Sequence, residues 1–212
     1  SFSKLFETVM SVFVKKTISV ADDFQFGFTT GHSTSLCTSV FKQTVSYYTG
    51  RGSHVFACFI DFSKAFDKVN YWQLFYKLLD DNVDLSLVML LVYWYSNQHA
   101  CVRWHNCLSR VFKLGNGTRQ GGVLSPWFFT RYIRDLLMAV INSGVGCNVG
   151  GMFVNILAYA DDIVVIAPSY QGLQHLLNLI ETCSREINMK INVAKTACMV
   201  FNPTNRSRSV EF

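Results

Sequence analysis

The pair Asp161-Asp162 constrains this chain more than any other feature, because it interrupts two runs of strand-forming residues. Val154–Tyr159 and Ile163–Ala167 are apolar and rich in β-branched or aromatic side chains, a pattern that reads as two buried strands. With only Ala160-Asp161-Asp162 between them, the strands must fold back on one another as a hairpin. Two adjacent acids at the tip of a buried hairpin repel each other and lose hydration, a situation that a divalent cation relieves. The plainer alternative is an ordinary turn that happens to use two Asp.

A third acid sharpens the choice. His54–Asp61 reads as another buried strand, Val55 through Ile60 being apolar, and Asp61 ends it. If the two strand ends meet, three carboxylates converge. That donor set suits Mg²⁺, which takes oxygen ligands and keeps substrate phosphates and waters in its shell. Two such ions, about 3.5–4 Å apart, activate an attacking oxygen and stabilise a leaving one in phosphoryl transfer. The alternative for Asp61 is a helix N-cap. Asp67, six residues on, is expected to fix a turn or to cap the helix that starts near Tyr71.

The remaining pattern is mixed. Helical spacing runs from Phe2 to about Ser19, from Ser33 to Tyr48 with Ser33 or Thr34 as N-cap, and over Tyr71–Asp80, Leu85–Tyr95, Ser125–Asn142 and Gln171–Asn188. Short alternating strands are expected at Ala100–Trp104 and Arg110–Leu114, joined by a turn at His105–Leu108, and a last strand at Thr196–Phe201. Taking the strong strands and the two later helices in order gives β-α-β-β-α-β, a ferredoxin-like split pattern within an α+β fold. The leading helix and those between 71 and 95 cannot join that sheet and are expected to form a second subdomain.

Composition narrows the class. Half of the 212 residues are hydrophobic and 16% are charged, against about 25% charged in an average soluble domain. The formal charge of +5 suits a polyanionic partner without requiring one. Seven cysteines, an odd number with no C-x-x-C spacing, argue against a zinc site or a disulfide framework and fit a reducing intracellular compartment, nucleus or cytoplasm. Lys15 and Lys16 follow the first apolar stretch instead of preceding it, so no secretory signal is expected. The longest apolar run, near Leu85–Tyr95, falls short of the roughly 20 residues a membrane span needs, and no membrane partner is expected. Most of the aromatic residues stand at core-facing spacing; Trp104, His105 and Asn106, on a polar turn, are the best candidates for a surface contact.

These pieces, in this order, resemble the reverse transcriptase family, in particular its non-LTR (LINE-type) retrotransposon branch. Phe59-Ile60-Asp61-Phe62-Ser63-Lys64-Ala65-Phe66-Asp67 resembles the first palm motif, and Gly117-Thr118-Arg119-Gln120-Gly121-Gly122-Val123-Leu124-Ser125-Pro126 the glycine-rich second one. Ala158-Tyr159-Ala160-Asp161-Asp162 resembles the catalytic hairpin, and Ile191-Asn192-Val193-Ala194-Lys195-Thr196 the lysine motif that follows it. Gln25-Phe26-Gly27-Phe28 with Gly31-His32-Ser33-Thr34 resembles a fingers motif of the LINE and group II intron branch. The resemblance covers nearly the whole chain.

The resemblance implies a polymerase palm with a mostly helical partial fingers subdomain, as one domain fragment over residues 1–202: fingers at about 1–50 and 70–115, palm at about 51–69 and 116–202, then a polar basic tail at 203–212. It implies Asp61, Asp161 and Asp162 as catalytic metal ligands for two Mg²⁺ ions, with Mn²⁺ able to substitute. Phe62 and Phe66 would meet the nucleotide, the Phe66 ring clashing with a ribose 2′-OH and so favouring dNTPs. Gln120 and Gly121 would border nucleotide and template, glycine allowing close backbone approach. Lys195 would lie near the triphosphate, and Arg119 and Gly122 against nucleic acid. Core packing for Phe66, an ordinary loop for Gln120 and Gly121, and solvated side chains for Arg119 and Lys195 are the alternatives. The implied activity is RNA-directed DNA polymerisation from a primer on an RNA template, with thumb and endonuclease regions elsewhere in the same polyprotein.

Some positions depart from the family pattern. Thr29 stands where this branch often carries a triphosphate-binding Arg. By the same comparison the chain begins and ends inside a larger domain. A catalytically inactive nucleic-acid-binding relic and a group II intron-type maturase are the competing readings. An RNA-dependent RNA polymerase is disfavoured by Phe66 and by Ala160 where a glycine would be expected.

Overall fold

In chain order the helices and strands are α1 (Phe2–Thr17), α2 (Thr34–Thr49), β1 (Val55–Ile60), α3 (Ala65–Lys68), α4 (Tyr71–Asp80) and α5 (Leu85–Ser96). Four two-residue strands follow, β2 (His99–Ala100), β3 (Arg103–Trp104), β4 (Cys107–Leu108) and β5 (Phe112–Lys113). The chain continues with α6 (Ser125–Ile141), β6 (Cys147–Val149), β7 (Met152–Val154), β8 (Ile156–Tyr159), β9 (Asp162–Ala167), α7 (Tyr170–Glu186) and β10 (Ala197–Phe201). This computed structural model describes residues 2–17, 24–119 and 121–203, so that Gln120 and the basic tail beyond 203 lie outside the described residues. No described helix is long and apolar enough to cross a membrane.

The chain divides into two compact units, residues 1–20 with 66–132, and residues 21–65 with 133–212. The second unit holds an antiparallel sheet in the order β10-β1-β9-β8. With α6 and α7 its strands run β-α-β-β-α-β along the chain, the order expected from the sequence. Strand periodicity splits the apolar residues between two faces. Val55, Ala57, Leu157, Val164 and Ile166 lie on one face, where Val40, Phe41, Val45 and Tyr48 of α2 pack against them. Helix α7 packs on β1 and β9 and buries Leu173, Leu176 and Ile180. Helix α2 therefore belongs with the sheet, where the sequence reading grouped residues 1–50 with the fingers. Its N-cap is Ser33, whose hydroxyl accepts from the Leu36 N–H at 3.1 Å.

Two local features organise this unit. Asn155 separates β7 from β8 and is completely buried. Its Nδ2 donates to the carbonyls of Val140 at 2.7 Å and Val145 at 2.8 Å, which ties the end of α6 to the hairpin that follows. Gly146, at φ 124°, sits where any Cβ would overlap that asparagine. The β6–β7 hairpin, absent from the sequence reading, turns at Gly150-Gly151, both with positive φ. A Gly-Gly pair between short alternating runs is its sequence signal.

The first unit is mostly helical. Leu74, Leu78, Leu91, Phe128 and Phe129 are fully buried. Tyr95 meets Tyr71 edge-on at 5.0 Å and Phe128 at 5.7 Å. Asn70 caps α4, its Oδ1 accepting from Trp72 N–H at 3.0 Å and Gln73 N–H at 3.1 Å. The cap is thus Asn70 and not Asp67, which lies inside the single turn of α3. Asp84 caps α5 in the same way. Arg131 is 4% exposed and forks onto both carboxylate oxygens of Asp81, a buried pair whose partners need each other. Residues 99–113 form a hairpin in two pieces, β2 with β5 and β3 with β4. They are separated where Ser109 Oγ takes the Val102 N–H at 2.8 Å in place of a ladder bond, so the two longer strands expected from the sequence are interrupted.

Replacing Asn155 with Ala removes both buried donations and is expected to cost about 2 kcal/mol. Urea denaturation of the Asn155→Ala variant checks this, and a loss under about 0.5 kcal/mol would contradict the structural role given to the amide.

Candidate active site

The register of the sheet decides which acids meet. Strand β1 pairs with β9 so that Ile60 faces Ile163, and one further step along that register sets Asp61 across from Asp162. Strand β8 pairs with β9 so that Tyr159 faces Asp162. The hairpin turn is therefore only Ala160-Asp161, and Asp162 is already the first residue of β9. Asp61, Asp161 and Asp162 consequently share one end of the sheet, as the sequence pattern suggested. Among the described residues, however, no three His, Cys, Asp or Glu side chains form a ready-made metal-ligand shell.

Asp61 is held from the side by the segment 190–196. Ile191 bridges to Phe62, Asn192 N–H donates to the Asp61 carbonyl at 2.8 Å, and Asn192 Nδ2 donates to Asp61 Oδ2 at 2.9 Å. Lys195 Nζ stands 4.0 Å from the same Oδ2, and its side chain is 71% exposed. Asn192 is thus a site residue, and its only sequence signal is its place in the segment Ile191–Thr196.

The surroundings of Asp161 shift its carboxyl. Burial pushes it above the ordinary value of 3.8; its own backbone N–H pulls it back, and repulsion from Asp162 and Asp61 adds to the rise. An oxygen-rich, mutually repelling donor set of this kind fits a hard divalent cation. The open cleft beside these acids has a volume of about 510 Å³ and is lined by Asp61, Asp162, Lys195, Tyr159, Phe59 and Cys37, among others.

Phe62 is 4% exposed, so its ring lies in the interior and does not present a face for a nucleotide. The physical reason is strand alternation at the end of β1: Asp61 points to the cleft and its neighbour to the core.

The other sequence-derived candidates lie in the helical unit. Phe66 is half-buried and stacks on Phe129 with ring centroids 4.2 Å apart, which fixes the plane of its ring. The glycine-rich loop is tied down beside it: Thr118 N–H donates to the Phe66 carbonyl at 2.8 Å and Gly117 N–H to that of Val69 at 2.8 Å. Gly117, at φ 90°, packs so closely on the Asp67 backbone that a Cβ would collide. Gly121, at φ 74°, is exposed, with nothing near the place a Cβ would take. Gly122 is buried against Ser125 and Glu7, so packing alone accounts for a glycine there.

Arg119 is engaged within this unit, 3.8 Å from Glu7 and hydrogen-bonded to Ser3. Glu7 is 1% exposed and accepts the Val123 N–H at 2.6 Å. This buried acid of α1 anchors the loop and was missed by the sequence reading. Its signal was an acid on the same helical face as Met10 and Val14. Trp104, at the end of β3, is 75% exposed, and Thr29 Oγ1 is bound to the Gln25 carbonyl at 2.8 Å.

The fold is shared with solved telomerase structures. The telomerase of Candida tropicalis truncated from its C-terminal domain superposes with a TM-score of 0.65 at 12% identity, over 96% of this chain and 41% of that one. The same organism's telomerase with the TWJ fragment of telomeric RNA gives 0.63 at 12% identity, over 97% and 34%. This likeness is one of fold. The chain belongs to the reverse transcriptase (RNA-dependent DNA polymerase) family, whose model matches residues 2–212. Its curated relatives are non-LTR retrotransposon proteins. The Pol polyprotein from the type-1 retrotransposable element R2 of Nasonia vitripennis is 24% identical over 179 residues, 84% of this chain and 17% of that protein. That of the type-2 element R2DM of Drosophila melanogaster is 29% identical over 145 residues, 67% and 14%. The RNA-directed DNA polymerase from mobile element jockey of Drosophila funebris is 28% identical over 184 residues, 84% and 20%. The chain thus spans a fifth or less of the length of these relatives.

Metal-free protein offers a direct check on the electrostatics. A carboxyl NMR titration is expected to put the Asp161 midpoint above 3.8. Between 3.8 and that midpoint the folded state binds more protons than the unfolded one, so stability falls as pH rises through the window. Asp162→Asn removes one repulsion and is expected to lower the midpoint and narrow the window; a midpoint at or below 3.8 in the parent protein would contradict this account.

Proposed function

We propose that this chain is the catalytic part of an RNA-directed DNA polymerase of a mobile element, adding dNTPs to a primer 3′ end on an RNA template. The observation that carries the reading is the meeting of Asp61 with the Asp161-Asp162 hairpin through the β1–β9 register. In this reading the sheet unit is the polymerase palm.

Asp61, Asp161 and Asp162 would hold divalent cations, Mg²⁺ with Mn²⁺ as a substitute. When bound, the cations supply charge neutralisation at the attacking oxygen and the phosphates. The protein's own part is positioning. Asn192 fixes the Asp61 carboxylate by its 2.9 Å bond, which leaves the other oxygen for ligation. Lys195, exposed and near Asp61, stands ready for a triphosphate oxygen. Phe66 would read the sugar of the incoming nucleotide, and its stack on Phe129 fixes the plane of its ring. Phe62 would meet the nucleotide through its backbone alone, because its ring is buried. Gly121 suits a close approach of backbone to ligand, and Gln120 is assigned beside it by the family motif. Arg119 and Gly122 are assigned to nucleic acid on the same motif, Arg119 giving up its contact with Glu7 to do so. Catalysis of this kind needs placement and electrostatics more than covalent chemistry from the protein. RNA template, DNA primer and dNTPs are the implied partners, alongside other regions of the same polyprotein.

Primer extension by the full reading frame on a primed RNA template tests the proposal. Extension with dNTPs and Mg²⁺ is expected, reduced at least about 10²-fold by Asp161→Ala. Phe66→Ala is expected to lower the preference for dNTPs over NTPs by roughly 10²-fold while leaving extension measurable. A folded, full-length protein that extends nothing would overturn the polymerase reading and favour an inactive nucleic-acid-binding relic.

A further inference from the structure

Gln25 is completely buried, although a long polar side chain is costly to bury unless it is satisfied. Its bonds all go to two places. Oε1 accepts from the Ala160 N–H at 3.0 Å and from the Gly27 N–H at 2.9 Å, and Nε2 donates to the Ala160 carbonyl at 3.4 Å. The backbone around it adds a parallel bridge to the edge of β8: Phe26 N–H donates to the Ala158 carbonyl at 2.8 Å, and Ala158 N–H to that of Phe24 at 2.9 Å. Gly27 packs on the same turn so tightly that a Cβ would overlap the Ala160 nitrogen.

The target of these contacts is a strained residue. Ala160 has φ 58°, the left-handed region that a side chain with a Cβ enters only at a cost. It directly precedes Asp161. The backbone bridge alone covers the β8 edge and would do so with an apolar residue at position 25. The amide is needed only at the turn, where it satisfies the N–H and C=O of a peptide unit bent away from ladder geometry.

We propose that Gln25 is a positioning residue of the polymerase reaction: by clamping Ala160 in its left-handed turn it sets the direction of the Asp161 carboxylate. The inference rests on the polymerase reading for its kinetic consequence, and on the hydrogen bonds alone for its structural one. Thr29, whose hydroxyl donates to the Gln25 carbonyl at 2.8 Å, holds the clamp's own backbone in place.

Two readouts separate the two levels, both on the full-length protein. Hydrogen exchange of the Ala160 amide, measured without metal or substrate, is expected to speed up at least about tenfold in Gln25→Met, with exchange in β1 and β10 unchanged. Single-nucleotide extension by the same variant is expected to fall about 10²-fold in kcat, as a misplacement near 1 Å would produce. KM for dNTP and the Kd for primer–template are expected to stay within about twofold. In an Ala160→Gly background, where the turn costs little without the clamp, the kcat loss on adding Gln25→Met is expected to shrink at least about fivefold. Should Gln25→Met unfold the protein, Gly27→Ala presses on the same turn with the amide intact and is expected to give the same pattern. An unchanged Ala160 exchange rate, or an equal kcat loss in both backgrounds, overturns the proposal. A parent protein with no extension at all bears on the polymerase reading, while the exchange measurement still decides the clamp.

Discussion

Asp61, Asp161 and Asp162 repel one another at one end of a sheet whose strands are otherwise apolar. Much of the second unit can be understood as the support that this repulsion demands. The β1–β9 register brings Asp61 opposite the hairpin, Asn192 ties down one of its carboxylate oxygens, and Gln25 satisfies the turn that presents Asp161. Each support comes from a segment far away in the chain, 131 residues for Asn192 and 135 for Gln25. The acids are thus held by the tertiary fold and not by their own strands.

The helical unit uses the same logic on a loop. Glycine lets residues 117–122 run close to neighbouring backbone, but a glycine-rich loop has no intrinsic shape. Shape is imposed by bonds from Thr118 and Gly117 to the segment 66–69, and by the buried carboxylate of Glu7, which accepts the Val123 N–H and faces Arg119. Phe66 is tied to that loop through its carbonyl and stacks its ring on Phe129. Glu7 is in α1, so the leading helix is part of the architecture of the loop even though none of the family motifs lies in it.

Family membership and fold say different things about this chain. The family model covers residues 2–212, and the retrotransposon relatives share 24–29% of their aligned residues with it. The telomerase structures share the fold at 12% identity. A sheet order and the helices packed on it tolerate such divergence because they are fixed by alternation and register, which many apolar sequences satisfy.

Elements with a local signal were legible from sequence alone. Apolar runs bounded by acid marked β1, β8 and β9; Ser33 and Thr34 marked the start of α2; the chain order β-α-β-β-α-β followed from counting. The Gly150-Gly151 hairpin was equally legible and was overlooked. Which side chains face which neighbours was set by the tertiary fold. It buried Phe62 while leaving Asp61 at the cleft, turned Gly122 into a packing residue, engaged Arg119 with Glu7, and brought α2 to the sheet. It also gave Gln25, Asn155 and Asn192 their roles. Periodicity reports how apolar a position is, but a buried amide or acid is justified only by its hydrogen-bond partner, and those partners come from distant parts of the chain.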